Sequence, residues 1–353
     1  MKIDLSPLST GRMYRLVLVA VTILSIRTAL ATDSFTEGRP MSGGRVLGLS
    51  RICDDCKLEE FTHCDGLLEG PSLDQQHNLW LTSPSKGRIY KVSPDRSCVL
   101  VVDKPVPAFI PGGTKLNKDG RLYGTNVGTN DIYALDIATH KVSFVTRGSR
   151  SAERKESSLA SNGYFGYNDL IFDGVGGAYL TDMRGSSALR PTGRIVYRTS
   201  TGSIRVVVPS GLALPDGIVL SPDGKILYFN EWLTNRIIAV PVLDNGALDL
   251  GLASVFTYLS GGKGPDGMAV DASGNLYVAH QGGGGEIAVF APDGSYYGAI
   301  RLNNGNDFSP TNLAFDGNYL YVTEGQPTSA AQERSAVWRI QLKIAGLKLY
   351  GDK

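Results

Sequence analysis

The chain has 353 residues, 42% of them hydrophobic, enough for one large all-β domain or two ordinary ones around a sizeable core. Its 35 Lys and Arg balance 34 Asp and Glu, leaving a formal net charge of +1. That balance excludes the strongly basic surface that nucleic acid or an anionic membrane would require, and leaves a small molecule as the partner class.

At the N-terminus Lys2, Arg12 and Arg15 precede an apolar run from Leu16 to Ile26, and Ala29-Leu30-Ala31 stands ahead of Thr32. A charged start, a short apolar stretch and a small-x-small site read together as a cleaved secretory signal over 1–31, with an uncleaved anchor as the alternative. The run is too short to cross a bilayer comfortably, and no later stretch approaches membrane length. The expected organisation is therefore a signal at 1–31, an extension at 32–56 and one domain at 57–353, secreted or periplasmic, with no membrane span in the mature chain. All four cysteines, Cys53, Cys56, Cys64 and Cys98, lie close together. In an exported chain that predicts disulfides with three possible pairings; the Cys53/Cys56 spacing also suits zinc, but a second such pair is missing.

From Glu69 onward the sequence predicts short strands separated by Gly-containing turns. One pattern recurs six times, beginning at Glu69, Pro111, Asn168, Pro215, Pro265 and Pro310: a turn, an apolar strand, a second turn, then a strand of the form Leu-Tyr-Val. Each unit continues into a third strand, and most into a fourth, which is the period of a β-propeller blade. The fold expected is all-β, a six-bladed β-propeller. Lys57–Thr62 has no blade of its own and is expected to supply the outer strand of the last one, closing the ring and removing two exposed sheet edges.

In such a ring the starts of the inner strands converge on the central axis. They are Glu69, Gly112 or Gly113, Asn168, Asp216, Asp266, and Thr311 or Asn312. Two carboxylates about 5 Å apart repel by roughly 3 kcal/mol at an effective dielectric near 20, so three call for a divalent cation. Oxygen-only ligands favour Ca²⁺, with Mg²⁺, Mn²⁺ or Zn²⁺ as the other candidates. The competing reading is that Asp216 and Asp266 are ordinary turn aspartates facing outward. The ends of the second strands should form the rim: Asp182 to bind a metal water or orient Asn168, Trp232 as a substrate wall, and His280 as donor or auxiliary base, each of them equally able to serve packing alone.

Glu-Gly-Pro at 69–71, Tyr-Asn-Asp at 167–169 and Pro-Asp-Gly at 215–217 and 265–267 resemble, in order and spacing, the gluconolactonase, regucalcin (senescence marker protein) and luciferin-regenerating enzyme family. The resemblance implies one axial divalent metal held by Glu69, Asn168, Asp216 and Asp266, with Asp266 also the general base in lactone hydrolysis. Two positions depart from the family. Asp216 stands where Asn is usual, and Gly166 stands where the sugar lactonases carry a substrate-binding Arg. The neighbouring Tyr164, Phe165 and Tyr167 point instead to a more apolar or aromatic lactone or ester, with Tyr167 among the expected substrate contacts. The polar insertion Arg147–Gly163 suggests a lid or a plain loop. Alternatives left open are a non-catalytic secreted propeller with a structural metal, and arylesterase or strictosidine-synthase-like chemistry on the same scaffold.

Overall fold

A computed structural model describes residues 46–146, 166–281, 285–301, 309–325 and 334–352; the signal at 1–31 and the insertion at 147–163 lie outside them. The chain folds into six four-stranded antiparallel sheets arranged as the blades of a propeller. Sequential hairpins build blades one to five. The sixth is composite: Pro310–Asp316, Tyr319–Glu324 and Arg334–Gln341 are completed by Glu59–Asp65 from the start of the domain.

The repeated aromatic of the second strand explains why the blades stack. Trp80, Tyr123, Tyr179, Tyr228, Tyr277 and Tyr321 each pair with the inner strand of their own blade, and all are buried. Large apolar rings at one depth in every blade fill the wedge between neighbours, and burying such side chains is worth about 1.5–3 kcal/mol each.

Two disulfides form, Cys53–Cys56 and Cys64–Cys98. The first ties an N-terminal segment whose Ile52 and Leu58 are buried against blades five and six. The second joins the outer strand of blade six to the outer strand of blade one, across the ring closure. Opening Cys64–Cys98, which are 34 residues apart, by replacing both with Ser should cost about 4 kcal/mol on the loop-entropy account. Denaturant unfolding under oxidising conditions checks this.

Candidate functional site on the propeller axis

The Pro-Asp-Gly segments at 215–217 and 265–267 are not turns. Both lie in inner strands, Pro215–Leu220 and Gly264–Val270. The same tripeptide at Pro222-Asp223-Gly224 does turn the chain, with Gly224 at φ 70°. In the axial copies the glycine answers a close approach. A Cβ on Gly217 would lie 2.4 Å from the Asp266 carbonyl oxygen, and one on Gly267 would lie 2.1 Å from Asn312 Cγ. Only glycine lets the inner strands come together where the ring is narrowest.

That approach brings the expected carboxylates together. Glu69, Asp216 and Asp266 are buried to within 6–8% of full exclusion from solvent. Asp216 and Asp266 hydrogen-bond each other, and Glu69 is close enough to act on both by charge. Burial pushes the Glu69 carboxyl up to about 7, against the hydrogen bonds it accepts from the Gly70 N–H and from Asn312. Burial first, then the charges of their neighbours, drives Asp216 and Asp266 well above the usual carboxylate range, so the pair gives up its protons less readily than ordinary aspartates do. Lys115 is the cation that offsets Glu69.

Two amides partner these carboxylates in pairings that the sequence does not specify. Gln281, at the end of the second strand of blade five, donates to Asp266 Oδ2. Asn312, from the inner strand of blade six, donates to Glu69 Oε2 at 3.1 Å.

A repeated latch fixes the axial backbone. Thr82 donates to the Gly112 carbonyl oxygen at 2.9 Å, Thr125 to that of Asn168, Thr181 to that of Asp216 at 2.7 Å, and Asn230 to that of Asp266. Each donor sits on the second strand of one blade and each acceptor on the inner strand of the next, so three expected ligands are held by the preceding blade. The column is visible in the sequence as Thr82, Thr125, Thr181, Asn230, Ala279 and Thr323 before the second-strand ends. Thr181 also accepts from the Asp169 N–H at 3.0 Å. Thr181→Val should therefore cost about 1–3 kcal/mol, as buried backbone groups lose their partner; urea unfolding would detect it.

The four expected substrate-site residues occupy different surroundings. Trp232 is partly buried beside Val127, Met183 and Leu214, an apolar cluster that also takes in Ile110 and Leu233. These residues follow second strands or precede inner strands, so the cluster belongs to the face on which the axial residues lie. Met183 Sδ lies 3.9 Å from Asn168 Nδ2, which joins the cluster to the axis. Tyr167 packs in the core with Tyr123 and Leu170. Asp182 is wholly buried, with Arg194 Nε 2.6 Å from Oδ2. His280 is 3% exposed; Nε2 lies 3.1 Å from the Gly261 carbonyl oxygen and Nδ1 3.4 Å from Glu286.

Gly166 has a steric cause. A Cβ there would lie 1.8 Å from the Thr129 carbonyl oxygen and 2.4 Å from that of Asn126. No arginine fits at this position while the chain runs as it does.

The donor set suits a divalent cation in chemistry: three buried carboxylates, two of them hydrogen-bonded to each other, with the Asn312 amide on Glu69 beside them. Among the described residues, no three His, Cys, Asp or Glu side chains are already gathered as a ligand cluster, so closing around an ion would require the acid pair to part and ionise.

Comparison with known proteins agrees with this architecture. Residues 67–326 match the family described as SMP-30/Gluconolactonase/LRE-like region. Lactonase drp35 of Staphylococcus haemolyticus is 32% identical over 241 residues, 67% of this chain and 69% of that protein. A gluconolactonase structure from Xanthomonas campestris superposes with a TM-score of 0.67 at 21% identity, covering 87% of this chain and 95% of its own. A calcium-binding regucalcin from Agrobacterium tumefaciens gives 0.61 at 19% identity, covering 81% and 96%.

Proposed function

The chain belongs to the SMP-30/gluconolactonase/LRE-like family, and on that premise we propose that it is a lactonase-type carboxylic ester hydrolase that opens a lactone at the propeller axis with a divalent cation. The observation that carries this reading is the convergence of Glu69, Asp216 and Asp266, buried, from three different blades. A purely structural axis has no need of three carboxylates that burial penalises.

Glu69, Asn168, Asp216 and Asp266 would hold the cation, with Ca²⁺ the first candidate because every donor is oxygen. When bound, such an ion supplies Lewis-acid polarisation of the lactone carbonyl and stabilises charge on its oxygen. Asp266 acts as general base, taking the proton of the attacking water. Gln281 holds the Asp266 carboxylate in orientation through Oδ2, and Asn312 does the same for Glu69. No side-chain nucleophile is needed, and all four cysteines are spent in disulfides.

Trp232, Val127 and Met183 form an apolar wall, favouring an apolar or aromatic lactone over a polyhydroxylated one. Trp232 is the substrate contact. Tyr167, Asp182 and His280 are buried within their own blades and serve the site through the strands they hold. Export to an extracellular or periplasmic compartment suits the two disulfides. Among the described residues, no helix is long and apolar enough to cross a membrane.

The test is acid release from a panel of aromatic, aliphatic and sugar lactones, using metal-stripped protein with and without Ca²⁺, Mg²⁺, Mn²⁺ and Zn²⁺. Aromatic lactones should be preferred, and Trp232→Ala should raise their KM about tenfold with a smaller change in kcat. Failure to turn over any lactone or ester under any metal would refute the hydrolase reading, while preference for sugar lactones would refute the apolar wall.

A further inference from the structure

The far end of the propeller channel holds a second cavity, of about 440 Å³, within the range of about 300–1,000 Å³ typical of small-molecule sites. Its floor is one residue from each blade, three positions beyond the axial one: Ser72, Lys115, Ile171, Val219, Ala269 and Ala314. Five are small or apolar, and Lys115 is the one charged member of the ring.

The C-terminal segment crosses this mouth. The Ala345 carbonyl oxygen accepts from the Ala272 N–H at 2.9 Å, and the Leu347 N–H donates to Val270 at 3.0 Å, both on blade five. Tyr350 then stacks on Phe172 of blade three with ring centres 5.8 Å apart. Leu347, Lys348 and Leu349 contribute to the cavity wall between these anchors.

The cavity's hydrogen-bonding capacity is unbalanced. Its acids are spent: Asp173 accepts from the Val175 and Gly177 N–H groups and from the Tyr197 hydroxyl, and Asp223 from the Ser221 hydroxyl and the Lys225 N–H. Lys115 is not. It is 5% exposed, and of its three donors one is used, on the Thr114 carbonyl oxygen at 3.0 Å. Asp169 Oδ1, at 3.7 Å, forms a buried ion pair with it but lies beyond hydrogen-bond range, so two of the ammonium's donors stay open.

We propose that this cavity is a second ligand site, at the other end of the channel from the axial acids, for a small apolar molecule bearing one carboxylate, with its body against Ile171, Val219 and Ala314 and its head on Lys115. Lys115 is the one cation on the cavity floor, with Lys348 on the C-terminal segment above it, and open ammonium donors among apolar side chains suit a single negative charge on an apolar body. The buried donors that Lys115 leaves open would otherwise cost free energy. The C-terminal segment would close over the occupant.

Calorimetric titration of the full chain with decanoate and with decan-1-ol tests the site without any turnover assay. Decanoate should bind one per chain and at least about tenfold more tightly than the alcohol, as expected for a charge-assisted head contact. Lys115→Met should weaken decanoate about tenfold to a hundredfold and leave decan-1-ol unchanged. Ala314→Trp, which fills the cavity without touching Lys115, should abolish binding of both, with circular dichroism confirming the fold. Equal affinity for acid and alcohol, undiminished decanoate binding in Lys115→Met, or binding that survives Ala314→Trp would each overturn the proposal. Should Lys115→Met not fold, the acid-to-alcohol ratio and Ala314→Trp decide it.

Discussion

Asp266→Asn should lower kcat for lactone opening by about a thousandfold, within the range lost when a general base is removed, while the propeller stays folded. The amide keeps the shape and one oxygen donor of the carboxylate but cannot take a proton. It also removes one of the buried carboxyls that face each other across the axis, so the metal-free variant should melt no lower than the parent. Asp216→Asn is the control. It restores the residue that the resemblance to the sugar lactonases leads one to expect, and should keep kcat within about tenfold, because the adjacent acid is asked only to hold the cation. Calcium titration of both variants separates lost proton transfer from lost binding. Asp266→Asn with kcat within tenfold of the parent would remove Asp266 as the base.

The depth to which the sequence could be read followed the repeat. Glu69, Asn168, Asp216 and Asp266 were located because six copies of one unit can be counted and their starts superposed, and the ring-closing strand followed because one unit lacked its fourth strand. The Pro-Asp-Gly segments lie at inner-strand starts, as the repeat predicts, but not as the turns that the tripeptide predicts. Local preference reads the tripeptide as a turn, as it is at 222–224, whereas at the axis the crowding of neighbouring inner strands selects the glycine. The Thr column of the second strands was legible by the same superposition; its role required knowing that each hydroxyl faces the next blade. The repeat places Asn312 at an inner-strand start and Gln281 at a second-strand end, but nothing in a sequence says which amide meets which carboxylate. The pairing of Cys64 with Cys98 was likewise one of three until the outer strands of blades six and one were seen side by side.

The second large effect is a reversal of the pH dependence of stability on metal binding. Glu69 titrates near 7 in the folded chain against 4.5 for an ordinary glutamate. A carboxyl raised in this way binds its proton more tightly folded than unfolded. The metal-free fold is therefore most stable below about pH 4.5 with respect to this group, and loses stability as the pH rises to about 7. For Glu69 alone the loss amounts to about 3 kcal/mol. Asp216 and Asp266, raised from 3.8 by burial and by one another, act in the same direction. A divalent cation needs the ionised carboxylates, so its stabilisation grows with pH over the same window, reaching about 2.7 kcal/mol at a free concentration a hundred times Kd. Thermal melts should show the midpoint in chelator falling by several degrees between pH 5 and pH 8, at roughly 2–4 °C per kcal/mol. With excess Ca²⁺ it should stay level or rise, with the widest gap at pH 8. Identical profiles with chelator and with Ca²⁺, Mg²⁺, Mn²⁺ or Zn²⁺ would show that the axial carboxylates take up no cation. Their buried charge would then have to be accounted for by proton uptake and by Lys115.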